Sequence, residues 1–179
     1  MKRILALYAH PSPRSSYLNA YLMQRLSALP NVVVRDLYHL YPNFYIDTAA
    51  EQEHLLNSDI VLMQFPVRWF NVPSIIREWQ DSVLTPGFAF GKGGTALAGK
   101  EFMVTASTGG DVTSYAEDQP HGAHIDTYLT PLKQTATFCG MKILPSFIVH
   151  AARGLNTSER AKIADKYIDQ LTALTRERE

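Results

Sequence analysis

Intrachain disulfides are excluded at once: only one of the 179 residues, Cys139, is a cysteine. That suits a reducing compartment. Cys139 falls in an apolar helical pattern, the setting of a buried, inert thiol and not of a nucleophile. Neither sign of charge is in excess, with 17 Lys and Arg against 17 Asp and Glu, so no global field draws the chain to nucleic acid or to a membrane surface. No apolar run approaches the ~20 residues of a membrane-spanning helix, and the sequence opens on a strand pattern without a leader segment. A soluble, cytoplasmic protein is expected. The six histidines show no metal-site spacing, and no metal is expected. The first strand-to-helix loop lacks G-x-G-x-x-G, which argues against a standard dinucleotide site there. Residues 94–100 nearly spell a P-loop, but Glu101 stands where Ser or Thr would hold Mg²⁺, and the segment precedes a strand.

What is present is a regular alternation. Apolar runs at 3–8, 32–34, 60–65 and 102–106 have the length of buried strands, and a fifth covers 142–149, interrupted or ended by Pro145. Between them lie helical patterns at 16–28, at 48–56 with Thr48 and Glu51 as a capping box, and from Pro73 with Ile75, Ile76, Trp79 and Val83 inward. A further helix runs from 125 to 139, with Gly140 as its stop, and a last one from 158, capped around Asn156. The aromatic-rich stretch 37–47 reads as a loop, and 176–179 as a solvated tail. Continuous apolar strands alternating with helices predict an α/β fold: one domain over 1–179, doubly wound, with a five-stranded parallel sheet in the order 2-1-3-4-5 and helices on both faces. Such sheets bind ligands beyond the carboxyl ends of their strands.

Three loops then fall at that rim. The first, HPSPRSSYLN, offers Ser12, Ser15 and Ser16 as hydroxyl donors, Asn19 one turn into the helix, and positive charge from His10 and Arg14. With a helix N-terminus behind it, this suits a flavin phosphate; Ser15 or Ser16 reads equally well as a plain N-cap. The second, FPVRWFNVP, brings Trp69 and Phe70 to the end of strand 3. They read either as a shelf for a flat ligand, with the backbone amides of 67–70 reaching polar ring atoms, or as packing under their own helix. The third, STGGDVTSYAEDQPHG, supplies the Ser107 and Thr108 hydroxyls, unhindered amides at Gly109 and Gly110, and then Tyr115 and His121. A Tyr–His pair can carry a proton or meet developing negative charge.

Taken together, these loops resemble the NAD(P)H dehydrogenase (quinone) family of flavodoxin-like flavoproteins. The resemblance rests on His10, Pro11, Ser16 and Asn19; on Pro66, Trp69, Phe70 and Pro73; and on Thr108, Gly109, Gly110, Tyr115 and His121. Within the family the sequence is most similar to the ancillary subunits of glutathione-gated potassium efflux systems, in LYPNFYIDTAAEQE, REWQDSVLTPGFAFGKGGTALAGK and TATFCG. The resemblance implies FMN, or FAD as in longer relatives, held by His10, Ser16, Asn19, Pro66, Val67, Arg68, Trp69, Phe70, Ser107, Thr108, Gly109, Gly110 and Tyr115. It implies a homodimer and two-electron, ping-pong reduction of quinones by NADH or NADPH, with Tyr115 and His121 catalytic. It implies, as the alternative, a regulatory role at the inner face of the membrane on a potassium efflux antiporter. Arg68 departs from the neutral residue common at its position, and the stretch 111–120 leaves His121 and His124 both open as the site histidine.

Overall fold

The computed structural model of the protein describes residues 1–176; the tail expected at 176–179 lies, past Arg176, outside them. Besides short 3-10 turns at Pro13–Ser15 and Val112–Ser114, twelve strands and α-helices are described. They are β1 (Ile4–Tyr8), α1 (Tyr17–Ser27), β2 (Val32–Asp36), α2 (Leu37–Leu40), α3 (Thr48–Leu56), β3 (Ile60–Pro66), α4 (Ser74–Val83), β4 (Glu101–Ser107), α5 (Ile125–Phe138), β5 (Lys142–Ile143), β6 (Phe147–Val149) and α6 (Thr157–Thr175). The sheet is parallel throughout, in the order β2-β1-β3-β4-β5, with β6 also on β4. The doubly wound order is therefore as expected, but its fifth place is shared by two short strands.

Alternation along the strands builds a core on each face. Leu5, Leu7, Val61, Met63, Phe65 and Val104 pack against α3, α4 and α5 through Leu55, Ile76, Trp79 and Leu129. Ile4, Ala6, Ile60, Leu62 and Met103 pack against α1 and α6 through Leu22, Leu26, Tyr167 and Leu171. The break at Pro145 changes register. Ile143 pairs with Phe102 and Phe147 with Thr105, so four steps along one strand span three along its neighbour. This is a one-residue bulge, and it reverses the faces of everything after it. Leu144 and Phe147, an odd number of residues apart, accordingly pack on the same α1/α6 side.

Two local expectations need correcting. The cap of α3 is Asp47, whose carboxylate accepts from Ala50 N at 3.0 Å. Glu51 does not reach back to a capping box. It is fully buried and accepts from Trp79 Nε1 (2.9 Å), Tyr41 OH (2.7 Å) and the Arg35 guanidinium (2.6 Å). A carboxylate so far from water needs those partners, and the capping position had one competitor, Asp47, that keeps its charge at the surface. In the stretch expected as loop, residues 37–40 form a single helical turn, capped by Asp36 through His39 N. The caps at the other end of the chain follow the sequence pattern. Asn156 and Glu159 form a reciprocal capping box, and Gly140, at φ +81°, ends α5.

Candidate functional site

Parallel strands end on one side, so the loops after β1, β3, β4 and β6 share a rim. Between them lies a cleft of about 540 Å³ lined by His10, Ser15, Ser16, Asn19, Pro66, Val67, Arg68, Ser107, Thr108, Gly109 and Arg153. A second cleft of about 760 Å³ lies on the other side of Arg68 and Trp69, toward α4 and α5, and includes Arg77 and Tyr128.

The floor of the first cleft is polar. Ser16 occupies the N-cap position of α1, yet its hydroxyl pairs with Tyr8 OH at 2.8 Å and leaves the helix uncapped. Ser15 turns to the Ser12 carbonyl. First-turn amides at Leu18 and Asn19 consequently have no partner among the described residues. An uncapped helix end of this kind suits an anion. Asn19 Nδ2 donates to Ser107 Oγ at 2.7 Å, which leaves the Ser107 proton free to donate. Behind them Tyr167 OH bonds Gln64, and Gln64 bonds the Asn19 carbonyl. Asn19 Oδ1 is buried with no donor, a state that costs about 1–3 kcal/mol unless a ligand supplies one.

The charges differ from those expected. His10 is buried and accepts from Ser12 N through Nδ1. Burial, and next the Arg68 charge, hold its pKa below the ordinary 6.5. It is thus a neutral ring with its proton on Nε2, not a cation. Arg14 is exposed and does not line the cleft. Arg153, after β6, lines it instead; no spacing in the sequence connects that residue to this loop.

After β3 the chain makes a two-residue hairpin. Arg68 N donates to Asn71 O at 2.9 Å and Asn71 N to Arg68 O at 3.0 Å, with Trp69 and Phe70 both at positive φ, +50° and +59°. Such turns prefer Asn-Gly; two bulky residues here store backbone strain of about 1–2 kcal/mol each. The amides of Val67 and Arg68 are engaged, by Ser107 O and Asn71 O, which corrects the expectation that all four from 67 to 70 are available. Those of Trp69 and Phe70 are open among the described residues. Neither aromatic packs under α4. Trp69 is 92 % exposed, and Phe70 leans on His121 and Tyr128 at centroid distances of 5.7 and 5.2 Å.

After β4, Gly109 and Gly110 differ in kind. A Cβ on Gly109 would meet nothing, whereas one on Gly110 would lie 2.4 Å from His121 Nε2. His121 therefore sits directly over Gly110, and its ring lies 4.6 Å from that of Tyr115. Tyr128 OH donates to the His121 carbonyl. Burial raises the Tyr115 phenol pKa. His124 caps α5 through Asp126 N and is exposed, so of these two it is His121 that lies beside Tyr115. One residue escaped the sequence reading: His150, just past β6, lies 3.0 Å through Nδ1 from Thr108 Oγ1 and 5.3 Å from the Tyr115 ring.

A family model described as having a flavodoxin-like fold matches residues 2–174. The chain belongs to that flavodoxin-like family. This flavodoxin-like protein is 44 % identical over 147 residues, 82 % of each chain, to the glutathione-regulated potassium-efflux system ancillary protein KefF of Salmonella heidelberg (strain SL476). Among solved structures it is similar to general stress protein 14 of Treponema denticola in complex with FMN, at 33 % identity and a TM-score of 0.89, covering 97 % of this chain and 99 % of that one. It is also similar to an NADPH-quinone reductase from P. pentosaceus, at 25 % identity and a TM-score of 0.83, covering 92 % and 95 %. Among the described residues, no helix of this flavodoxin-like protein is long and apolar enough to cross a membrane.

Proposed function

We propose that the protein is an FMN-dependent NAD(P)H:quinone oxidoreductase, working as a homodimer on quinones or similar flat acceptors. The observation that carries this reading is the polar cleft itself. It combines an uncapped helix end, a free Ser107 proton and a buried Asn19 acceptor without a donor. These needs are complementary to a phosphate on a polyhydroxyl chain. Ser16, the amides of Leu18 and Asn19, and Arg153 would hold the phosphate; Asn19 and Ser107 would meet the ribityl hydroxyls. Trp69 and Phe70 would hold the ring edge, with their open amides and that of Gly109 directed at its polar atoms.

FMN, when bound, supplies two-electron transfer between a reduced nicotinamide and an acceptor. This chain's residues supply the rest. Amides at Gly109 and Gly110, unpaired among the described residues, meet negative charge without reorganising. Tyr115, kept protonated by burial, donates a hydrogen bond, and His121 beside it holds or passes a proton. The exposed Trp69 keeps the ring face open to one flat partner at a time. Arg68 lines both clefts and offers a cation to a nicotinamide phosphate.

The purified protein should be yellow, release FMN on denaturation and oxidise NAD(P)H only when quinone is added. Tyr115→Phe with His121→Ala should slow reduction by NAD(P)H by roughly 10²-fold or more. A colourless protein that takes up no FMN would reject the reading.

Similarity over most of its length to a potassium-efflux ancillary protein favours a second reading: a regulatory flavoprotein that docks, from the cytoplasm, on a membrane antiporter, with turnover secondary. Co-purification with an antiporter, and altered potassium efflux on deletion, would support it. Rapid quinone turnover with no antiporter association would set it aside.

A further inference from the structure

The bulge between β5 and β6 has a consequence at the rim. Past Pro145 each residue faces the opposite side from the one an unbroken strand would give it. His150 is thereby turned to the α5 side, where Thr108, Tyr115 and Tyr128 are; without the extra residue it would face α1 and α6. The bulge is anchored, since Gln170 on α6 donates to the Pro145 carbonyl.

The hydrogen bonds around Thr108 define the state of that imidazole. Thr108 Oγ1 lies 2.8 Å from the Gly110 carbonyl and 3.0 Å from His150 Nδ1. A carbonyl only accepts, so the single Thr108 proton goes to Gly110. His150 Nδ1 must then donate. The neutral ring carries its proton on Nδ1 and leaves Nε2 bare. Gly110 O is held from a second side by Ala151 N at 2.9 Å, so β6 and its exit grip the Thr108–Gly110 turn at two points.

We propose that His150 is a positioning residue of this site. Its Nδ1–H bond fixes Thr108, and its ring, 5.3 Å from Tyr115, buttresses the phenol against His121. Thr108 in turn holds the backbone of Gly110, on which His121 rests. Burial and the nearby His124 charge, opposed by Asp111, keep His150 neutral more readily than an ordinary histidine, consistent with a fixed donor. The inference rests on the reading of Tyr115 and His121 as the proton-handling pair.

The test uses the full chain and two amide substitutions. Asn places its amide near the Nδ1 position and Gln near Nε2, so H150N keeps a donor to Thr108 and H150Q does not. In long-range ¹H–¹⁵N spectra of the flavin-free protein above neutral pH, His150 should show its proton on Nδ1. The Tyr115 ring resonances should be preserved in H150N and displaced in H150Q. With FMN bound, H150Q should be reduced by NADPH roughly 10- to 100-fold more slowly, short of or equal to the loss of a direct acid–base group, with H150N within about threefold of wild type. A proton on Nε2, or equal reduction rates in H150Q and wild type, overturns the proposal. A wild-type chain that binds no FMN would instead defeat the flavoprotein reading, and the tautomer and Tyr115 resonances would still decide this one.

Discussion

Ser16 Oγ and Tyr8 OH are paired at 2.8 Å across the first strand-to-helix junction. That pairing takes from α1 the hydroxyl cap its sequence offers and leaves the first-turn amides without a partner among the described residues. Ser16→Asp would put a carboxylate at the proposed phosphate position, able to cap the free amides. We expect S16D to lose FMN binding while the flavin-free fold gains about 0.5–1 kcal/mol from the new cap. Equilibrium dialysis with FMN and urea denaturation check the two halves. Unchanged FMN affinity would place the phosphate elsewhere.

The hairpin at Trp69 and Phe70 holds two bulky side chains in left-handed backbone. Trp69 gives up little burial when replaced, being almost wholly exposed. Trp69→Asn should therefore stabilise the flavin-free protein by roughly 1 kcal/mol, and at the same time weaken FMN binding. A variant that loses stability would show that the turn is not strained; one that keeps full FMN affinity would remove Trp69 from the site.

Gly109→Ala and Gly110→Ala separate ligand space from packing. The added methyl at 109 meets open space in this structure and that at 110 meets His121. G109A should fold with wild-type stability but bind FMN more weakly, because its methyl enters the cleft. G110A should displace His121 from Tyr115, visible in the histidine and tyrosine resonances of the flavin-free protein. A G110A chain with the wild-type spectrum would contradict the contact.

His10 has a pKa below 6.5 in the fold and near 6.5 when unfolded. Its contribution to stability is therefore complete above 6.5 and is lost as pH falls through 6.5 toward the folded value, because only the unfolded chain takes up the proton. His10→Asn keeps an acceptor for Ser12 N and removes the titration. Denaturant midpoints measured between about pH 7.5 and about pH 5.5 should fall more steeply for wild type than for H10N. Parallel curves would mean that His10 titrates normally.

The sheet was legible because β1, β3 and β4 are continuous apolar runs, and burial on both faces leaves no other use for such runs. Pro145 was legible as an interruption. That it shifts register was not, since register belongs to a pair of strands and Pro145 is on one. Glu51 looked like a capping residue because local spacing cannot register Trp79 on α4, Arg35 on β2 and Tyr41 just past α2. The three rim loops could be found from their hydroxyls, glycines and aromatics. The left-handed turn could not, because Trp-Phe is opposed by local propensity and held by the flanking Arg68–Asn71 hydrogen bonds and by the contacts of Phe70 with His121 and Tyr128. His150 and Arg153 carried one weak signal, their place at the carboxyl end of the last strand, where residues face the same rim as the loops already chosen.

The extra residue between Ile143 and Phe147 also sets a rule of counting. Shortening this segment by one amino acid would leave every side chain chemically intact and yet send His150 to the far side of the sheet. Length here should thus be guarded more strictly than composition: homologues free to exchange Leu144 or Ser146 for other residues, but not to gain or drop one, wherever the imidazole is retained.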